Sequence, residues 1–302
     1  MKSMKNLQNL EKIIKEKIKL KNLNTKSNLK SICDYSKQEL LFIFKNFSKR
    51  LKPIYWSQKQ SFIKLLNYKE RTTKILEINN NPIWILVFKN NLAKEDKVLK
   101  LKNWYLEIKS LFLWNKFGEG NIRLLRNELI NVIRKEYTHA DGIYVTVSTT
   151  KAKESYEMFL KLWFLELYKV YNEYSKGNIE AHLFYPINLD IKPQNWSLTI
   201  KKDFFKEIKK WKKTVEGRSG KLFYSFKKWD IITFKNWKQY ITKEIIEVIR
   251  YKNLDDFLEN EWIENCLPWI NNKNIAKKIY LSLPWYKEKI KKYGIIAFKF
   301  LK

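Results

Sequence analysis

Glycine, proline, cysteine and histidine are all scarce in this chain of 302 residues, which contains 7 Gly, 6 Pro, 2 Cys and 2 His. Cys33 and Cys266 are far apart and lie in no metal-ligand spacing, so we interpret both as reduced, buried or incidental. No run approaches the roughly 18 apolar residues of a transmembrane helix. The first 20 residues lack the apolar block of a signal peptide and the arginines of a transit peptide.

Acidic residues are also few relative to basic ones. The chain has 61 Lys and Arg against 31 Asp and Glu, a formal net charge of +30. Such a charge is unfavourable through self-repulsion unless a polyanion compensates it, which favours nucleic acid as the partner. A basic membrane-surface protein is the alternative. The abundance of Lys, Asn, Ile, Phe and Tyr suggests an A+T-rich gene, and the 12 Trp would fit a genetic system that reads UGA as tryptophan.

Catalytic motifs are weak. His139 and His182 have no Cys, Asp or Glu nearby in sequence at a metal spacing, so a structural or RNA-facing role is favoured over catalysis. The run from His139 to Tyr144 is similar to fragments of two homing-endonuclease motifs, LAGLIDADG and GIY-YIG, but each match is short and incomplete. The run from Gly217 to Lys221 lacks the spacing of a phosphate loop. We therefore expect no catalytic residue, no cofactor, no metal site and no enzymatic activity.

The N-terminal part is predicted to be mostly helical, because apolar residues recur there at helical spacing. One strand is expected at 84–88, between Asn-rich turns. Amphipathic helices are predicted at 4–20, 36–51, 55–68, 97–115 and 121–137.

The central stretch from Gly142 to Phe226 combines strands with one long helix. Ile143, Val145 and Val147 alternate with polar residues, which is typical of a strand with one buried face. Apolar residues then recur at helical spacing until Gly177. We predict one sheet, formed by strands at 143–148, 179–185, 196–200 and 221–226, with a helix at 151–175 packed across it.

The order of these elements resembles the small-subunit ribosomal protein S-ten family. Residues of family-like character in the long-strand region are Pro186, Ile187, Leu189, Trp196 and Ser197. Glu216, Arg218 and Ser219 match the family's F-E-x-R-T-H. The chain departs from the family at Asn188, Asp190 and Gly220, and at Lys201 to Asp203.

The resemblance implies an α+β fold: an S-ten-like strand-helix-strand-strand core with a mainly helical N-terminal extension and a helical C-terminal insertion. The expected domains are 1–140, 141–230 and 231–302. The implied function is that of a structural constituent of an organellar small ribosomal subunit in the mitochondrial matrix. The implied partners are small-subunit rRNA and neighbouring head proteins, with no membrane and no small-molecule substrate. An organellar homing endonuclease or maturase-like enzyme is the alternative, and a basic scaffold of a membrane complex is a third.

A hairpin between the strands at 196–200 and 221–226 would present a cluster of basic residues at its tip, where phosphates would relieve their mutual repulsion. The predicted RNA-binding residues are Lys192, Lys201, Lys202, Lys206, Lys209, Lys210, Lys212, Lys213, Arg218 and Lys221.

The C-terminal part is predicted to open with a helix near Thr233 and to close with a strand after Gly294. Between them lies the one acidic island of the chain, from Asp255 to Glu264. It would form either a solvated helix face or a contact with a basic protein.

Overall fold

The computed structural model describes residues 27–43, 71–78, 81–92, 94, 99, 101–113 and 119–301. The strands within these residues are β1 (Ser27–Ser31), β2 (Thr72–Ile78), β3 (Asn81–Leu92), β4 (Trp104–Leu113), β5 (Ala140–Ser148), β6 (Leu165–Tyr171), β7 (Ile179–Pro186), β8 (Asn195–Thr199), β9 (Val215–Arg218), β10 (Ile231–Asn236), β11 (Gln239–Tyr251) and β12 (Ile295–Phe300). The helices are α1 (Glu119–Glu136), α2 (Lys153–Lys161), α3 (Lys202–Lys209), α4 (Leu254–Asn260), α5 (Ile263–Cys266), α6 (Lys273–Leu281) and α7 (Tyr286–Tyr293). Short 3-10 helices span Ile32–Asp34 and Lys221–Ser225.

The chain divides into two compact units. The first comprises Met1–Phe88 and Ser110–Val132, and the second comprises Lys89–Lys109 and Ile133–Lys302. In the first unit, β1 pairs antiparallel with β2, and β2 pairs antiparallel with β3. Ile75 and Ile85 lie opposite each other in that second ladder and are completely buried, so the apolar residues of this meander form its core.

The second unit is built on a mixed sheet. Strand β4 runs parallel to β5, β5 pairs antiparallel with β7, and β7 pairs antiparallel with β6. The order continues through β11 and β10 to β8, while β12 pairs with both β11 and β9. Alternation along β5 explains the two faces of this sheet: Ile143, Val145 and Val147 are buried, whereas Tyr144 and Thr146 are only half-buried.

A separate core cluster holds the C-terminal helices. Phe257 and Leu258 of α4 are buried together with Cys266 and Ala276. The acidic residues of α4 face outward, where Asp255 pairs with Lys277 at 2.9 Å. Most of the island from Asp255 to Glu264 therefore lies on amphipathic helices that bury their apolar side, whereas Glu261 is buried and accepts a hydrogen bond from Tyr251.

The S-ten-like fold class is wrong, because the described residues form a large mixed sheet of twelve strands rather than a small core with helical additions. The strands at 143–148, 179–185 and 196–200 and the helix at 121–137 were predicted close to where they lie. Residues 221–226 are not a strand, since a 3-10 helix occupies Lys221–Ser225. The predicted helix at 151–175 ends at Lys161 and is followed by β6.

Two further helix predictions are wrong. Residues 97–115 contain β4, and the stretch after Thr233 is the hairpin of β10 and β11. In β11 the ladder with β12 shifts register between Ile245 and Glu247. This bulge interrupts the alternation of apolar and polar residues along the strand, so that the spacing of the apolar residues is similar to that of a helix. Residues 37–43 are helical, and the helices predicted at 4–20 and 55–68 lie outside the described residues. No helix in the described part of the chain is long and apolar enough to cross a membrane.

Candidate functional site

One face of the sheet in the second unit carries a group of polar and ionisable side chains. Glu107 of β4 lies beside Tyr144 of β5 in the parallel ladder. Across the antiparallel ladder, Thr146 lies opposite His182, and Ser148 lies opposite Glu180. Side chains that are opposite each other in adjacent strands project from the same face of a sheet. We call this surface, defined by Glu107, Tyr144, Glu173, Tyr174, Glu180 and His182, the acidic face.

A chain of hydrogen bonds crosses the acidic face. The Tyr144 hydroxyl lies 2.5 Å from Nδ1 of His182, and Nε2 of His182 lies 2.8 Å from a carboxylate oxygen of Glu173. The His182 side chain is 7% exposed and that of Glu173 is 28% exposed. This chain of hydrogen bonds therefore leads from the phenol of Tyr144 through the imidazole of His182 to the carboxylate of Glu173, which reaches solvent. Such an arrangement is suited to moving a proton.

The aromatic ring of Tyr168 packs against this chain of hydrogen bonds. The ring of Tyr168 stacks on His182 with centroids 4.4 Å apart, and its hydroxyl lies 3.1 Å from that of Tyr144. The guanidinium carbon of Arg250 lies 3.5 Å from the Tyr168 ring centroid. Burial and the neighbouring Tyr168 hydroxyl raise the pKa of Tyr144 well above its ordinary value. Tyr144 therefore stays protonated at neutral pH and can act as a donor.

Two further carboxylates, Glu107 and Glu180, lie on this face. Asn178 donates a hydrogen bond to Glu180, Asn91 donates one of 2.7 Å to Glu107, and the ammonium of Lys109 also pairs with Glu107. Burial, followed by the charge of Glu173, raises the pKa of Glu180, although Lys151 opposes the shift. A carboxyl group with a raised pKa is a stronger base than an ordinary one, which favours Glu180 as a proton acceptor.

The pKa of Tyr174 is raised by the same negative environment. Desolvation and the carboxylates of Glu173, Glu107 and Glu180 together raise its pKa to about 12. On a chain with net charge +30, a locally negative, tyrosine-lined surface attracts a cationic ligand such as an ammonium group. In the described part of the chain, no cluster of three or more His, Cys, Asp or Glu residues could hold a metal ion.

Sequence reasoning missed this site because Glu107 and Tyr144 are distant in sequence from the other members, and because residues 151–175 were predicted to form one helix. The hairpin of β6 and β7 brings Glu173 to His182. Asn172 and Gly177 have positive φ angles in that connection and allow the tight return. His139, the other histidine, is exposed in the turn before β5.

A second polar cluster lines a cavity of about 200 Å³ in the same unit. Glu216 receives a 2.7 Å hydrogen bond from Nε of Arg218, and its other oxygen lies 3.1 Å from Nζ of Lys213. Lys213 is 1% exposed and also donates to the carbonyls of Val215 and Cys266. Burial alone would raise the pKa of Glu216, but Lys213 and Arg218 hold it below its ordinary range.

The predicted RNA-binding residues do not form one hairpin tip. Lys213 is buried, and Arg218 is paired with Glu216, so neither is a free basic residue. Lys192 lies in the loop before β8 and pairs with Asp190 at 3.0 Å. The remaining residues are exposed on or beside α3 and at the 3-10 helix that follows β9, namely Lys201, Lys202, Lys206, Lys209, Lys210, Lys212 and Lys221.

Replacing Glu216 with Gln is expected to lower the free energy of unfolding at neutral pH by about 2 kcal/mol, because charged hydrogen bonds to both cations are lost. The folded-state pKa of Glu216 is depressed, so its ionised form stabilises the fold above the ordinary Glu range, and this stabilisation disappears as pH falls through the folded-state pKa. Urea unfolding of both proteins at several pH values should show the gap closing in acid. A gap that stays constant with pH would contradict this account.

No protein-family model and no curated protein matches the chain. Solved structures do resemble it. The NAA60 of Arabidopsis thaliana, in complex with acetyl-CoA, is 15% identical with a TM-score of 0.42, and the match covers 54% of this chain and 100% of that one. The ribosomal-protein-S18-alanine N-acetyltransferase of Escherichia coli is 13% identical with a TM-score of 0.38, covering 55% and 97%. The Pyrococcus furiosus protein PF0455 is 26% identical with a TM-score of 0.29, covering 35% and 94%.

These structural neighbours include N-acetyltransferases. All three TM-scores lie below 0.5, so the likeness alone assigns no activity to this chain. The twelve-stranded mixed sheet of the described residues corrects the expectations that followed from the resemblance. Membership of the S-ten family is wrong, and the structural role in a small ribosomal subunit and the rRNA partner that it implied are wrong with it. The nuclease or maturase alternative and the expectations of no enzymatic activity and no small-molecule substrate are replaced by the function proposed below.

Proposed function

We propose that the chain is an N-acetyltransferase that moves an acetyl group from acetyl-CoA to a primary or secondary amine bound at the acidic face. The observation that carries the proposal is the grouping of Glu107, Glu180 and the Tyr144–His182–Glu173 chain on one sheet face. Carboxylates and tyrosines attract an ammonium group, and a base beside them can make it nucleophilic.

Acetyl-CoA supplies an activated thioester carbonyl. In the proposed mechanism, Glu107 and Glu180 hold the substrate ammonium, and Glu180 removes its proton so that the amine nitrogen can attack the carbonyl carbon. The nitrogen releases its second proton to solvent as the amide forms, the carbon–sulfur bond breaks, and the Tyr144 hydroxyl donates its proton to the departing thiolate. His182 and Glu173 are positioning residues: they orient Tyr144 and return a proton to it.

The proposal itself is tested by incubating the purified chain with acetyl-CoA and a panel of amines, and by identifying acetylated products by mass spectrometry. The panel should include a linear polyamine, an amino sugar, and peptides with a free N-terminus or a lysine. We expect acetylation of at least one amine and none of an alcohol of similar shape. No product with any amine would contradict the proposal.

The cavity beside Arg218 supports a second, separate function, the binding of a small anion. Lys213 and Arg218 in its lining are both paired with Glu216, but Arg218 keeps 22% of its side chain exposed and Lys201 is exposed beside it. Calorimetric titration with inorganic phosphate and with nucleoside monophosphates tests this. Arg218→Gln should abolish the binding, whereas Lys192→Gln, on an exposed loop, should leave it unchanged.

A further inference from the structure

Six tryptophans adopt a backbone conformation that L-residues rarely occupy. Positive φ angles between 53° and 68° occur at Trp163, Trp211, Trp229, Trp237, Trp262 and Trp285. In the described part of the chain, Asn172 is the only other non-glycine residue with a positive φ. A large side chain is disfavoured there, because its Cβ approaches the carbonyl oxygen, whereas glycine has no Cβ. The concentration of tryptophan at these positions therefore needs an explanation.

Two of them occupy the helix-ending position that glycine favours. After α2, the N–H of Phe164 donates to the Phe159 carbonyl and the N–H of Trp163 donates to the Leu160 carbonyl, both at 3.0 Å. This pair of bonds defines a Schellman motif, in which the left-handed residue is usually glycine. The same pattern follows α3, with Trp211 in the left-handed position.

Trp237 occupies a glycine position in a hairpin. Asn236 pairs with Gln239, so the loop between β10 and β11 has two residues, Trp237 and Lys238. Trp237 has φ 53°, and Lys238 is not among the residues with positive φ. In two-residue hairpin loops of this kind, the first position is where glycine is preferred.

Trp262 and Trp285 stand at helix starts. Trp285 is left-handed with φ 62° and ψ 9°. Trp262 has φ 60° and ψ 125°, which lies outside even the left-handed helical region. Neither side chain caps its helix by a hydrogen bond. Only glycine adopts the Trp262 conformation without steric conflict.

Five of the six side chains are at least half exposed. Trp237 is 93% exposed, and Trp163, Trp211, Trp262 and Trp285 are between 50% and 75% exposed. The ammonium of Lys243 lies only 2.6 Å from the Trp211 ring centroid, closer than normal packing allows.

Two tryptophans with ordinary backbone angles provide the contrast. Trp84 is 2% exposed in the core of the first unit. Trp196 stacks on Phe226 at 4.1 Å and donates a 2.8 Å hydrogen bond to Asp230. These indoles fill space or bond to neighbours, as buried tryptophan normally does.

We infer that the fold requires glycine at positions 163, 211, 229, 237, 262 and 285, and that the cell of origin inserts glycine there by reading one codon, UGA, as glycine. UGA differs from the glycine codon GGA only in its first base, and conceptual translation with UGA as tryptophan would produce this sequence. The inference also accounts for composition, since 7 glycines in 302 residues is about a third of ordinary usage.

The direct test is mass spectrometry of the protein isolated from its own cells, with sequencing of the peptides that cover the six positions. We expect glycine at all six and tryptophan at positions 84 and 196, which act as internal controls. Tryptophan at the six positions would overturn the inference. The gene provides a matched check, since the six codons should be UGA and those for Trp84 and Trp196 should be UGG.

A second test uses recombinant protein and does not depend on the source. Trp237→Gly removes an indole that is almost fully exposed, so it relieves backbone strain without loss of packing. We expect the folded-to-unfolded ratio to rise roughly fivefold, as measured by urea unfolding. Trp196→Gly, the control, should lower the ratio. A chain with glycine at all six positions that is less stable than the unmodified chain would contradict the inference.

Discussion

Glu180→Gln is expected to lower the kcat of amine acetylation by roughly 10²- to 10⁴-fold, which is the usual contribution of a general base. The neutral amide keeps an oxygen that can accept the hydrogen bond from Asn178 but cannot take a proton. Steady-state rates at saturating amine and acetyl-CoA measure the effect. A loss of less than about threefold would show that another group is the base.

The pH profile of the same variant separates catalysis from structure. A base must be ionised, so the rate should fall as pH drops through the pKa of Glu180, which burial and Glu173 raise above the ordinary value. This acidic limb should disappear in Glu180→Gln. Because a raised carboxyl pKa means that ionisation disfavours the folded state, the variant should be at least as stable as the parent. Glu157→Gln, at an exposed position on α2, is the matched control and should change neither rate nor profile.

Gly294→Ala is expected to destabilise the fold by about 4 kcal/mol. Gly294 ends α7 with φ 64°, and a Cβ added there would lie 2.0 Å from the Tyr251 carbonyl oxygen. That oxygen belongs to backbone at the end of β11, so the clash moves the β11–β12 ladder instead of one side chain. Urea unfolding measures the loss.

Gly177→Ala is the matched control for this prediction. Gly177 has φ 73°, but an added Cβ would meet no atom within 4 Å. Its substitution should therefore cost only the left-handed backbone strain, about 1 kcal/mol. Equal losses at the two positions would show that φ alone, and not close packing of α7 against β11, makes Gly294 necessary.

The alternation of apolar and polar residues was sufficient to predict β5 and β7, and the helical spacing of apolar residues was sufficient to predict α1. Each of these elements has one apolar face and no internal irregularity. Two of the regions that were missed share a cause. The end of α2 and the turn between β10 and β11 carry Trp163 and Trp237 where glycine would mark a stop, so each region was interpreted as one long helix.

The acidic face could not be predicted for a different reason. Its members come from β4, β5, β7 and the connection before β7, and only the strand order places Glu173 beside His182 and Glu107 beside Tyr144. The charge excess was visible in sequence, but the sequence did not show that carboxylates gather on one sheet face of a basic chain. Local negative charge arises from register, which single-sequence patterns do not determine.

The most direct test of the proposed activity is the release of free coenzyme A thiol from acetyl-CoA by the purified chain, followed with and without an amine. The proposal predicts release that requires the amine, saturates with it, and is lost in Glu180→Gln but retained in Glu157→Gln. Thiol release that is the same with and without amine, or that persists in Glu180→Gln, would contradict acetyl transfer at the acidic face.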